Sequence, residues 1–192
     1  VTRQVVSYAR RSDQTGMLVG EDLLDLPERR LPTRAVWWAI SSAQRATLAA
    51  AGVDLPGAAH AAEHAAIGLL PLVAACDRWD VGGVSADLHP ATGKLTVFVY
   101  DGHAGGAGFA ERGFGAARQW LSATADAISS CECTAGCPSC IQSPKCGNGN
   151  HPLAKHDAVT LLHTLLAGAP STKPEEALAN PSSGRQPERT ES

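Results

Sequence analysis

The sequence predicts an α+β fold of mixed helices and short antiparallel strands, and three observations predict it. Short runs at residues 1–10, 33–40, 84–88 and 95–100 read as strands, the second with period-two alternation. Ala- and Leu-rich stretches of helical length lie between and after them, at residues 57–75, 107–130 and 156–167. Five of the six cysteines fall within sixteen residues, Cys131 to Cys146, between the last two helical stretches.

Residues 1–10 (VTRQVVSYAR) read as one strand. A loop with Gly16 and Gly20 follows, then the apolar Leu23-Leu24-Asp25-Leu26, closed by Pro27. In TRAVWWAI at 33–40, period two puts Val36, Trp38 and Ile40 on one face and Ala35, Trp37 and Ala39 on the other. Both faces are apolar, so both are expected to be at least partly covered. Ser41 or Ser42 caps a helix that ends near Gly52. Pro71 must kink or split the helix over 57–75, because it lacks an N–H and clashes with the preceding turn. Strands 84–88 and 95–100 are joined through His89–Gly93 as a hairpin. After Asp101-Gly-His-Ala-Gly-Gly-Ala-Gly108 come helices over about 107–112 and 114–130, the cysteine loop, Gly147–Asn150 and a helix over about 156–167. The domain therefore spans 1–167. From 168 to 192 the chain is Pro, Ser, Glu and Arg with almost no large apolar residue, a composition expected to stay disordered. There is no internal repeat.

A chain of 192 residues at 44% hydrophobic content can bury a real core in one domain. The net charge of -3 gives no overall attraction for nucleic acid. The first eleven residues differ, carrying Arg3, Arg10 and Arg11 without an acid, either a basic edge or a solvated strand face. No apolar run approaches a membrane span, so a soluble, cytoplasmic location without membrane partners is expected. The chain starts at Val1 rather than an initiator Met, which suggests a piece of a longer protein.

The cysteine density points to zinc, which prefers four thiolate or imidazole ligands and is well served by a tight Cys-x-x-Cys turn. Cys137 and Cys140 have that spacing, with Gly136 before and Pro138 inside. Cys133 lies four residues upstream and Cys146 six downstream, and these four are the expected ligands. Cys131 is the alternate, able to replace Cys133 or Cys146. Four sulfurs leave no open position, so the zinc is expected to be structural. A disulfide cluster is the weaker reading, because no secretory segment opens the chain and a cytosol keeps thiols reduced.

Other motifs are weighed against plainer readings. His60-Ala-Ala-Glu63-His64 matches the inverted zinc-protease pattern, with both histidines on one helix face, but hydrogen-bonded helix histidines explain it as well. The loop Asp101–Gly108 could cradle a phosphate or simply allow tight packing. It has neither Rossmann nor P-loop spacing, so ATP hydrolysis by this segment is not expected. Asp77, Asp80 and Asp101 could form a nuclease-like carboxylate cluster, or lie apart on loops. Cys76 reads as a small buried hydrophobe.

Taken in order, Leu-Pro-Thr33-x-Ala-Val-Trp37, His60-Ala-Ala-Glu-His64, Cys76-Asp-Arg-Trp-Asp80-Val-Gly-Gly83, Tyr100-Asp-Gly-His-Ala-Gly-Gly-Ala-Gly108 and the Cys131–Asn148 block carry a resemblance. The chain resembles the C-terminal zinc-binding domain of superfamily 2 DNA helicases typified by bacterial mitomycin repair factor A, shared by RecQ4-like relatives. The resemblance implies an accessory module of a larger ATP-dependent, 3′-to-5′ helicase in DNA repair. It puts structural zinc on Cys133, Cys137, Cys140 and Cys146, with Cys131 competing. It implies partnership with the motor lobes of the same parent chain, with single-stranded DNA near the nucleoid, and with repair proteins. Arg10, Arg11, Lys145 and Lys155 are the expected strand contacts. A brace or docking module without DNA contact is the alternative, and a zinc hydrolase at His60, Glu63 and His64 a further one. The segment alone, lacking the Walker lysine and the Asp-Glu box, is expected neither to hydrolyse ATP nor to unwind DNA.

Overall fold

The computed structural model describes residues 1–168. Of the expected tail, only Gly168 falls among them, as the last residue of a helix; the rest lies outside the described residues. The α+β expectation holds.

Residues 1–40 carry strands and loops and no helix. β1 (Thr2–Arg3) pairs antiparallel with β4 (Arg29–Arg30), and β2 (Ser7–Arg11) pairs antiparallel with β3 (Leu18–Leu23). The single strand expected over 1–10 is thus two, with Gln4–Val6 between the two pairings. The expected loop with Gly16 and Gly20, which leads to the apolar stretch from Leu23, contains most of β3. There the Arg10 side chain lies across the glycine, 3.1 Å from where a Cβ would stand.

The core sheet has the order β5-β7-β6, all antiparallel: β5 (Ala35–Ala39), β6 (Val81–His89) and β7 (Lys94–Asp101). β7 is central, and Leu95, Val97 and Val99 on it are fully buried. In β5, Val36 and Trp38 are buried, whereas Trp37 on the opposite face is 53% exposed beside Phe98, so one face is open.

α1 (Ser42–Ala50) opens on a full capping box. Ser41 Oγ accepts from the Gln44 N–H, and Gln44 Oε1 accepts from the Ser41 N–H. α2 (Leu55–Leu69) is capped by Asp54, whose carboxylate accepts from the Gly57 N–H at 3.1 Å. It ends where Pro71 forces a single 3-10 turn, Leu70–Leu72, as expected of a proline that cannot continue the ladder. α2 is buried on nearly every side, and alanines at 58, 59, 61, 62, 65 and 66 let its neighbours approach closely. It packs on β6 and β7 on one side and on α4 (Ala117–Ser130) and α5 (Lys155–Gly168) on the other. Trp120 of α4 closes this layer. It is 5.7 Å from Trp38 in an edge-to-face pair, and its Nε1–H donates to the Ala66 carbonyl at 2.8 Å.

The glycine loop is settled by one side chain. Asp101, fully buried at the end of β7, accepts from the N–H groups of Ala107 (2.5 Å), Ala110 (2.8 Å) and Phe109 (3.3 Å). Its carboxylate occupies the nest that a phosphate would need, so the loop packs tightly and starts α3 (Phe109–Gly115). Replacing Asp101 with Ala removes the buried acceptor these three donors share. It should cost about 3 kcal/mol, a melting point lower by roughly 6–12 °C for a domain of this size. A thermal melt of the Asp101→Ala chain that moves by less than a third of that would contradict this account.

Candidate metal centre

The cysteine loop leaves α4 at Cys131, whose extended backbone ends the helix. The Cys-x-x-Cys segment forms one tight turn: the Cys137 carbonyl accepts from the N–H groups of Cys140 (3.0 Å), Gln142 (3.1 Å) and Ile141 (3.2 Å). Gly136, at φ 111°, must be glycine, because a Cβ there would enter the side chain of the fully buried Ile141. The turn therefore aims both sulfurs the same way while Ile141 anchors it to the core.

Four thiols converge there: Cys131, Cys133, Cys137 and Cys140. The Sγ–Sγ separations are 3.6 Å for Cys131–Cys133, 3.6 Å for Cys131–Cys137, 3.5 Å for Cys133–Cys140 and 3.8 Å for Cys137–Cys140. A tetrahedron with Zn–S bonds of about 2.3 Å has edges of about 3.8 Å. A disulfide needs about 2.05 Å. The quartet therefore fits a closed tetrahedral zinc and excludes a disulfide cluster in this arrangement. The thiols are electrostatically unequal. The Ser139 backbone N–H, helped by Cys131, pulls Cys137 down to about 7, while burial pushes Cys140 up to about 12. Zinc takes thiolates, so its binding must drive the proton off Cys140.

The quartet departs from the expected set at one position. Cys131 stands where Cys146 was expected, because the loop turns at Gly136 and returns its start to the Cys-x-x-Cys sulfurs. Cys146 is carried past them to α2, where its Sγ lies 3.4 Å from His60 Nε2. His64, the next residue on that helix face, completes a second group with ligand atoms all within 4.8 Å of one another. The pairing was invisible in the sequence, since 86 residues separate His60 from Cys146.

Glu63, between the histidines, turns toward β6. Its carboxylate oxygen would stand 2.5 Å from a Cβ at Gly83, so glycine there is what lets strand and helix meet. Burial pushes the Glu63 carboxyl up to about 7, against hydrogen bonds from Ser85 that lower it. Burial also lowers the pKa of His64, against the pull of the Ile141 carbonyl.

The other candidates have other partners. Asp80 accepts from the Asp77 N–H and Asp77 from the Trp79 N–H within one turn, while Asp101 serves its own loop, so among the described residues the three carboxylates do not converge on one metal position. Lys155 is removed from the expected strand contacts. It is buried, and its ammonium donates to the carbonyls of Cys131 and Cys133, hooking α5 to the cysteine loop. Lys145 is likewise engaged, donating to the carbonyls of Val81 (2.7 Å), Arg78 (3.1 Å) and Trp79 (3.4 Å). Desolvation and the neighbouring Arg3 and Arg78 lower its pKa. Arg10 and Arg11 stand exposed on the β2–β3 hairpin.

Comparison with known proteins follows this geometry. A family model described as the MrfA Zn-binding domain matches residues 62–141. An uncharacterized protein of Methanocaldococcus jannaschii is 36% identical over 111 residues, 56% of this chain and 99% of that protein. YprA of Bacillus subtilis, an uncharacterized ATP-dependent helicase, is 35% identical over 125 residues, 64% of this chain but 16% of the helicase. The crystal structure of the DUF1998 helicase MrfA bound to DNA superposes with a TM-score of 0.53 at 29% identity, covering 83% of this chain and 20% of that one. The chain thus spans the whole of one relative and a small part of the helicases.

Structural zinc contributes roughly 10–16 kcal/mol of apparent binding energy, as much as the stability of a whole domain. Cys131→Ser should therefore lower the melting point as far as Cys137→Ser does and release zinc to a chelator. A Cys131→Ser chain that melts and holds zinc like the parent would return Cys131 to the status of a spare.

Proposed function

The chain belongs to the MrfA zinc-binding domain family, and from that membership we propose that it serves as an accessory domain of an ATP-dependent DNA helicase acting in DNA repair. The observation that carries this reading is the superposition of 83% of the chain on one fifth of a helicase. Zinc in the quartet of Cys131, Cys133, Cys137 and Cys140 is structural in this reading. It holds the loop between α4 and α5 rigid, and Lys155 ties that loop to α5.

The N-terminal hairpin supports a docking role against the motor lobes of the same parent chain. Tyr8, Leu18, Val19 and Leu23 are all exposed on it, Leu23 to 86%, an apolar surface that a free domain would not maintain. The two arginines at its tip are the proposed contacts to single-stranded DNA. Arg10 pairs with Asp22 at 2.7 Å, but both side chains are more than 40% exposed, and a surface pair of that kind is readily exchanged for a phosphate. Lys145 and Lys155 have no part in it, since backbone carbonyls occupy their ammonium groups.

The test is fluorescence anisotropy of a labelled single strand titrated with the chain at low and moderate salt. Binding should weaken steeply with salt, as phosphate contacts require, and Arg10→Glu/Arg11→Glu should weaken it about tenfold or more at low salt. No binding by the parent chain at the lowest salt leaves the brace as the function. Full unwinding by a helicase from which this domain has been deleted would sink the accessory reading altogether.

A further inference from the structure

We infer that the chain holds a second zinc ion, bound by His60 Nε2, His64 Nε2 and Cys146 Sγ, with its fourth position open to a cavity. The inference begins from the tautomers. His60 Nδ1 lies 2.8 Å from the Pro152 carbonyl and His64 Nδ1 lies 2.8 Å from the Ile141 carbonyl. A carbonyl oxygen can only accept, so each Nδ1 carries the proton and each Nε2 presents a bare lone pair. A backbone carbonyl on the distal nitrogen is the arrangement that fixes metal-ligating histidines. The rings stand one helical turn apart on α2, with centroids 4.3 Å from each other.

The ligand atoms of His60, His64 and Cys146 gather within 4.8 Å of one another, and one thiol has a single proton to offer two acceptors. Its Sγ is 3.4 Å from His60 Nε2, and with Nδ1 turned to the Ile141 carbonyl, Nε2 is the nitrogen that His64 has left to offer. A cation removes the mismatch. Tetrahedral zinc with Zn–N of about 2.05 Å and Zn–S of about 2.3 Å sets nitrogen and sulfur about 3.5 Å apart. The sulfur also accepts from the Asn150 N–H at 3.3 Å, which fixes its position. Asn150 is itself pinned at φ 61° by two hydrogen bonds to the backbone of Ser143, at 2.7 and 3.1 Å. The loop carrying Cys146 is thus built, not draped.

Two histidines and one cysteine are a borderline-soft set suited to zinc. Three protein ligands leave one position, unlike the closed quartet. His60, His64 and Cys146 share a cavity of about 350 Å³ with Ser85 and Lys145, so the fourth ligand is a water or a small anion entering from that side.

Elemental analysis of the whole chain should find two zinc ions, falling to one in His60→Ala and in Cys146→Ser, with far-ultraviolet dichroism unchanged. X-ray absorption at the zinc edge of the unsubstituted chain needs no variant to fold. It should show imidazole scattering mixed with sulfur, where a quartet alone gives a shell of sulfur only. One zinc per chain with an all-sulfur shell overturns the inference, as do two zincs retained in both variants. Either result leaves the quartet, and the accessory role resting on it, untouched.

Discussion

Everything in this domain is arranged around a helix with no free face. α2 is alanine where the sheet meets it and alanine again where α4 and α5 meet it, and the neighbouring elements can pack on it from both sides only because those side chains are small. A helix that is apolar all round belongs in the interior. The polar side chains at its start and along it each have a set partner. Asp54 caps its start, Glu63 faces the glycines of β6, and His60 and His64 face the loops that follow α4. Helix packing and ligand geometry are therefore one constraint: moving α2 to suit the sheet would move the histidines off Cys146.

The second organising theme is the use of lysine ammonium groups to satisfy carbonyls that no regular structure can reach. The cysteine loop and the turn before β6 present backbone oxygens in irregular conformations, and a buried carbonyl without a donor is costly. Lys155 and Lys145 each answer more than one of them. That explains why two of the four cations expected at a nucleic acid prove to be structural. An ammonium has three donors and no preference among acceptors, so nothing in a sequence separates a lysine that meets phosphate from one that meets backbone.

The sequence made the sheet, the helices and the zinc loop readable because each rests on local rules. Period two marks β5, the hairpin connection at His89–Gly93 marks β7, serines and a glycine mark the ends of α1, and a Cys-x-x-Cys turn announces a metal. What stayed hidden depends on distant partners. By spacing Cys146 is the expected fourth ligand and Cys131 the alternate, and only the return of the loop at Gly136 reverses that order. β3 was lost because its glycine makes room for an arginine on the neighbouring strand, a fact about two segments rather than one. The loop of Asp101–Gly108 kept two readings open until the acid at its head was seen to fill it.

That carboxylate has a consequence for time as well as shape. Loops ordinarily open in small local fluctuations and trade their amide protons with solvent far faster than a core does. Here the amides of Ala107 and Ala110 are held by an acid anchored at the end of the central strand. To release them the loop must either unfold the end of β7 or leave a charge unsolvated in the interior. Kinetically, then, this glycine-rich segment belongs to the core: irregular in its path, it opens only when the sheet does.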